Sequence, residues 1–225
     1  MAREGIPSAV LLDALGTLIE LDAPWPHLAR ELAARGVVVD IEDARAAMLA
    51  EMAYYRAHHD EAGDWAGLKD LRRRCAGVVQ ESLGTSLPLA GVEDALLAAI
   101  RFRAYPEVPA ALERLRAGGA CLAVVSNWDV SLHDVLERTG LRGLVDAVVI
   151  SAELGVAKPD PAIFRVALER LGATAAEAMH VGDSVEADVA GARAAGLEAV
   201  LVARDGARAP DGVRVVASLD GLLMT

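Results

Sequence analysis

Ala9-Val10-Leu11-Leu12 is an unbroken apolar run that stops at one carboxylate, Asp13, and then turns through Leu15-Gly16-Thr17. A strand with no polar alternation suits a sheet covered on both faces, which is the setting of parallel strands in α/β proteins. A charged side chain is costly inside such a core. Placed just past the C-terminal end of the strand, it instead faces the crevice where open α/β sheets bind ligands. Gly16 permits a tight turn there, and the Thr17 hydroxyl can donate to an anionic ligand. An isolated aspartate at a strand end serves equally well as a turn or N-cap residue. The rest of the chain has to choose between the two.

The same grammar resumes near residue 104. Apolar runs at Ala120–Val125, Asp146–Ile150, Ala178–Val181 and Ala199–Val202 read as strands, with Val213–Val216 a last edge strand. Between them lie helical patterns beginning near Val108 and spanning 131–138, 161–171 and 185–195, closed by Gly118-Gly119, Gly140, Gly172 and Gly196. Strands alternating with helices predict an α/β fold, a doubly wound parallel sheet of Rossmann-like form. Residues 20–103 carry only helical periodicity, at Trp25–Gly36, Asp40–His59, Trp65–Leu83 and Val92–Arg103, with Pro88 and Gly91 marking the last break. The expected organisation is a core of residues 1–19 and 104–225, interrupted by an all-helical domain of residues 20–103. An insertion at that point is expected to lie over the strand ends as a lid.

Composition narrows the function. With 54% hydrophobic residues in a chain of 225, a sizeable core is available. The 33 acidic against 22 basic residues leave a net charge of −11, which argues against nucleic acid or an anionic membrane surface as partner. A phosphate site in such a chain needs local positive charge from a lysine, a metal or backbone amides. Cys75 and Cys121 are far apart and read as free core thiols suited to a reducing cytosol. No signal-peptide pattern and no apolar stretch of membrane-spanning length is evident, so a soluble cytoplasmic protein, monomer or homodimer, is expected.

Three predicted strands end in polar clusters, Asp13, Ser126-Asn127 and Gly182-Asp183-Ser184, and Lys158 precedes a helix opened by proline. Singly, these are ordinary caps and a solvated lysine. In a parallel sheet they share one edge, and together they suit nucleophilic attack on a phosphoryl group. A carboxylate such as Asp13 can form a covalent intermediate. Asp13 and Asp183 make a hard oxygen site for Mg²⁺, and Ser126 and Lys158 would hold the remaining phosphoryl oxygens.

The segments Asp13-Ala-Leu-Gly-Thr-Leu, Val-Val-Ser126-Asn, Lys158-Pro-Asp-Pro and Val-Gly182-Asp183-Ser…Asp188 resemble the four ordered motifs of the haloacid dehalogenase-like (HAD) hydrolase superfamily. The helical insertion is similar to that superfamily's helical cap. The resemblance implies Asp13 as nucleophile, Lys158 as the charge clamp, and Thr17 and Ser126, with Asn127 beside it, as substrate ligands. It implies a Mg²⁺ site from Asp13, Asp183, the Leu15 backbone carbonyl and Asp188, the last through water or from behind the direct ligands.

One position departs from the pattern. The family's phosphatases usually carry a second aspartate two residues after the nucleophile, as general acid for the leaving group, and here Leu15 stands there. General acid catalysis is worth about 10²–10⁴-fold, so slow turnover of alkyl esters is expected, with less penalty for aryl or acyl phosphates. The dehalogenase branch resembles this chain at that position, but its fourth segment resembles Ser-x-Asn and needs no metal, and it tends to have tyrosine where Phe164 stands. Gly182-Asp183-Ser184 is the metal-binding version. The reading is a Mg²⁺-dependent hydrolase of a small phosphorylated metabolite working through an aspartyl-phosphate. The alternatives are a metal-independent 2-haloacid dehalogenase-type hydrolase, or a catalytically impaired protein that binds phosphate or a partner. Asp129 is a candidate substitute acid, against an N-cap role. His58, His59 and Arg72-Arg73-Arg74 are candidate substrate contacts, against a solvated helix face. Trp25 and Trp128 are candidate cleft walls, against packing, and His180 reads as a satisfied core histidine.

Overall fold

The computed structural model describes residues 7–204, 206 and 210–223. The chain divides into two compact units, Met1–Glu20 with Ala104–Thr225, and Leu21–Arg103. In chain order the strands are β1 (Ala9–Leu12), β2 (Ile19–Leu21), β3 (Phe102–Ala104), β4 (Cys121–Ser126), β5 (Ala147–Ile150), β6 (Ala178–Gly182), β7 (Glu198–Val202) and β8 (Arg214–Val216). The first unit is built on a six-stranded sheet of order β5-β4-β1-β6-β7-β8. Every pairing in it is parallel. From β1 the chain builds β4 and β5 on one side and then β6 to β8 on the other, so β1 is the topological switch point.

Helices α5 (Val108–Ala117), α6 (Leu132–Arg138), α7 (Ser151–Leu154), α8 (Pro161–Leu171) and α9 (Gly191–Ala194) accompany this sheet. The strands β1, β5 and β6 are buried along their whole length, as the unbroken apolar runs require of a sheet clothed on both faces. Each fully buried Leu or Val stabilises the fold by about 1.5–3 kcal/mol relative to exposure. Helix α8 packs on β1, β4 and β5. Its ends are written locally: the Asp160 carboxylate accepts from the Ala162 amide, Pro161 opens the first turn, and Gly172 closes the last in the left-handed conformation.

The second unit holds α1 (Pro24–Ala33), α2 (Ile41–His58), α3 (Trp65–Leu83) and α4 (Leu89–Ala99). Consecutive helices pack on one another and α4 returns onto α1, enclosing Leu28, Leu32, Met48, Leu71, Val92 and Leu96. Asp40 and Asp64 cap α2 and α3.

Three expectations need correction. The last helix of the insertion stops at Ala99, and Phe102–Ala104 is a strand paired with β2. Three residues are too few for a periodicity to show. The predicted helix 185–195 opens instead with a π-helical turn, Val185–Ala190, in which the Val189 amide reaches back to the Ser184 carbonyl, and only then continues as α9. Cys121 is exposed at the start of β4 rather than in the core, whereas Cys75 is buried.

Candidate active site

The register of the sheet assembles the site. Leu12 pairs with Val124 on one side and Val181 on the other, and the Asp13 amide extends the ladder to the Val181 carbonyl at 2.9 Å. Asp13 therefore emerges at the level where β4 approaches Ser126 and β6 reaches Gly182. Asp13, Thr17, Ser126, Lys158 and Asp188 are all buried, while Asp183 is exposed.

Lys158 Nζ donates to Asp13 Oδ1 and to Asp188 Oδ1, each at 2.6 Å, and so bridges the two carboxylates. Ser126 Oγ adds a longer bond to Asp13 Oδ1 at 3.3 Å. Oxygens of Asp13, Asp183 and Asp188 lie within 4.8 Å of one another. Removal from water pushes the Asp13 carboxyl above the ordinary carboxylate range; Lys158 opposes this, and the charges of Asp188 and Asp183 add to it. Asp183 is raised for the same first reason and by Asp188. Burial also acts on Asp188, but Lys158 and the hydrogen bond from His180 outweigh it and hold that carboxyl well below the usual range. Burial disfavours the Lys158 ammonium, yet Asp13 and Asp188 prevail and push it up to about 12. The site thus has one carboxyl, Asp188, held ionised beside an ammonium, with the other two displaced upward.

The donor set fits a hard divalent cation. Three carboxylates face a single bridging ammonium, all the available donors are oxygens, and Thr17 Oγ1 is buried with no hydrogen-bond partner among the described residues. An orphaned buried hydroxyl, four residues after Asp13 in the chain, is a vacant donor for an anionic ligand.

Asp13, Thr17, Ser126, Lys158, Asp183 and Asp188 are brought to this one sheet edge. Leu15 lies in the turn after Asp13 with an exposed side chain, 41% accessible. The Asn127 carboxamide engages the backbone of Lys158: its amide nitrogen donates to the Lys158 carbonyl at 2.9 Å and its oxygen accepts from the Lys158 amide at 2.7 Å. Its carboxamide is spent on the lysine's backbone. Asp129 is buried and accepts from the Ser131 amide at 2.6 Å, a local bond two residues before the N-cap of α6. The Trp128 ring is packed, with Nε1 3.4 Å from Ser131 Oγ. In the helical unit, Arg74 is engaged by Tyr54, Glu61 and Asp70, and His58 stacks on Tyr54.

Two residues at this edge escape sequence reasoning. His180 is fully buried, but it is not a satisfied core histidine: Nε2 contacts Asp188 Oδ1 at 2.8 Å and Nδ1 has no partner among the described residues. Arg204 donates to the carbonyls of Gly16 and Thr17 at 3.1 and 2.8 Å, pairs with Glu107 and lies over the Tyr105 ring, 3.4 Å from its centroid. It clamps the turn that follows Asp13. The rule that singled out Asp13, a charge just past an apolar strand, applies equally to Arg204 after β7; no sequence signal ties His180 to Asp188.

A strand-end carboxylate in contact with a buried lysine, at the switch point of a parallel sheet, defines the class of α/β protein. Comparison with known proteins gives the family. The family described as "Hydrolase: haloacid dehalogenase-like hydrolase" matches residues 7–196, and the chain belongs to it. It is 48% identical over 92 residues to the haloacid dehalogenase-like hydrolase domain-containing protein 3 of Mus musculus, a stretch covering 41% of this chain and 37% of that protein. The match thus spans well under half of that relative's length. It is 33% identical over 201 residues to the glyceraldehyde 3-phosphate phosphatase of Methanopyrus kandleri, covering 87% of this chain and 84% of the relative. Among solved structures, an HAD phosphatase from Thermococcus onnurineus superposes with a TM-score of 0.65 at 27% identity, over 96% of this chain and 95% of that one. A 2-haloacid dehalogenase from Pseudomonas syringae shares the fold, with a TM-score of 0.67 at 24% identity over 97% and 98% of the two chains. The protein is an HAD-like hydrolase with phosphatases among its relatives. No helix among the described residues is long and apolar enough to cross a membrane.

Proposed function

We propose that the chain is a Mg²⁺-dependent phosphatase acting on a small phosphorylated metabolite through an aspartyl-phosphate on Asp13, with residues 20–103 as its cap domain. The observation that carries this reading is the charge count at the sheet edge. Asp13, Asp183 and Asp188 converge within 4.8 Å, and Lys158 alone bridges two of them. A phosphoryl group would add further negative charge, so the arrangement calls for a dication.

Lys158 and Ser126 hold Asp13 Oδ1, which leaves Oδ2 as the attacking oxygen. It attacks phosphorus, the bond from phosphorus to the leaving oxygen breaks, and that oxygen departs with the electron pair. Water then attacks the aspartyl-phosphate, restoring the carboxylate and releasing inorganic phosphate. Thr17 Oγ1 and the Lys158 ammonium bind phosphoryl oxygens, and the Asn127 clamp keeps Lys158 in place. Asp13, Asp183 and the Leu15 carbonyl would hold the Mg²⁺, with Asp188 through water, and the ion supplies charge that offsets carboxylate–phosphate repulsion. With Leu15 at the acid's usual position and the buried Asp129 carboxylate engaged by the Ser131 amide, acyl and aryl phosphates are the favoured substrates.

Hydrolysis of acetyl phosphate and an aryl phosphate, with Mg²⁺ and with EDTA, tests the proposal, with Asp13→Asn as the blank. Turnover that needs Mg²⁺ and vanishes in the blank supports it; no turnover of either compound sinks it. Leu15 favours one second reading, a metal-independent 2-haloacid hydrolase, because a departing halide needs no proton. Chloride release from a 2-haloacid in EDTA would establish that instead.

A further inference from the structure

Asp188 is gripped by three donors. Oδ1 accepts from Lys158 Nζ at 2.6 Å and from His180 Nε2 at 2.8 Å, and Oδ2 accepts from the Ser184 amide at 2.9 Å. A carboxylate offers about four lone-pair directions, so a single one remains, on Oδ2. The ammonium is a compact charge with rotatable donors and sets no angle for the carboxylate plane. An imidazole N–H points one way and does.

His180 is itself held firmly. On β6 it lies between Leu11 and Ala199 in the sheet register. The Phe164 ring stands edge-on to the imidazole, with centroids 4.9 Å apart and planes at 81°. Phe164 in turn packs against the bare Cα of Gly191, where a Cβ would come within 2.8 Å of the ring. The imidazole therefore has little freedom to turn. Its Nδ1 is buried with no hydrogen-bond partner among the described residues, an arrangement that is unfavourable in a core and leaves the contact to Asp188 as the one polar bond of the ring.

We propose that His180 is a positioning residue of the hydrolytic site. Its Nε2–H fixes the plane of the Asp188 carboxylate, which keeps Lys158 bridged to Asp13 and leaves one Oδ2 lone pair available for a water of the cation. The part that concerns the cation rests on the metal-dependent reading above; the orientation of Asp188 does not. Groups placed in this way behind metal ligands are typically worth about 10–100-fold in metal affinity or activity.

The test is a pair of amide variants of the full chain that differ in reach. In His180→Gln the amide nitrogen falls where Nε2 stands and restores the bond; in His180→Asn it stops short. Calorimetric titration with MgCl₂ alone is expected to show His180→Asn weakened about 10–100-fold and His180→Gln within about 3-fold of the parent. The Mg²⁺ concentration giving half-maximal turnover should move in step, while KM for acetyl phosphate stays. A crystal structure of His180→Asn grown in EDTA should show the Asp188 carboxylate rotated from its position. Equal weakening in both variants, or parental affinity in His180→Asn, overturns the proposal. Should the parent bind no Mg²⁺, the metal-dependent reading falls, and the EDTA structure judges the positioning role: an unmoved Asp188 ends it.

Discussion

The Asp183 carboxylate occupies the volume where a side chain on Gly16 would begin, and Gly16 itself stands at a φ of +83°. The turn after Asp13 and the end of β6 are thus in contact through the absence of a Cβ. Gly16→Ala combines a left-handed backbone, costing about 1–2 kcal/mol for an L-residue, with displacement of Asp183. Urea unfolding should show at least that loss, and Mg²⁺-dependent turnover should fall with it.

Lys158→Met removes the cation from between two buried carboxylates. Breaking one partner out of a buried ion pair costs about 3–5 kcal/mol. At pH 7 the variant is expected to lose stability on that scale and essentially all turnover. The deficit should narrow as pH falls, because Asp13, already displaced upward by burial, takes up a proton and relieves its repulsion with Asp188. Denaturant curves at several pH values check this.

Leu15→Asp places a carboxyl in the exposed turn beside Asp13. If the missing element is a general acid, hydrolysis of an alkyl phosphate should accelerate by about 10²-fold or more while acetyl phosphate changes little. The ratio of kcat/KM for the two substrates is the readout, since a general gain in folding would move both.

Glu51, in the helical unit, is buried at 4% accessibility, and burial raises its carboxyl pKa against the opposing hydrogen bond from Cys75. A carboxyl whose folded pKa is raised stabilises the fold fully below its unfolded pKa and loses that contribution as pH rises through the folded value. Glu51→Gln keeps an acceptor for Cys75 without the charge. Its Tm should match the parent's near pH 4, exceed it by a few degrees at pH 7, and level off above.

Much of the fold was legible because burial on both faces leaves a mark in one dimension. The runs at Ala9–Leu12, Cys121–Ser126 and Ala178–Gly182 have no polar alternation, and glycines and prolines punctuate the helices between them. The short elements were not legible. Phe102–Ala104 pairs with Ile19–Leu21, a partner more than eighty positions away, and α7 is a single turn. The π-helical turn at Val185–Ala190 is a matter of one amide choosing a carbonyl five residues back.

The sequence by itself determined which chemistry this edge holds: the strand-ending Asp13, Ser126 and Asp183, the lysine before its proline-opened helix, and Leu15 in place of an acid. Local periodicity and residue type carry that information, because a charge at the end of a buried strand has few places to go. Only the tertiary structure decided what each group does with its neighbours. It spends Asn127 on the backbone of Lys158 and Arg204 on the carbonyls of Gly16 and Thr17, and it turns His180 from a core residue into a contact of Asp188. Those are pairings between residues distant in the chain, set by sheet register and packing, and hydrogen bonds of that kind leave no trace in the order of the amino acids.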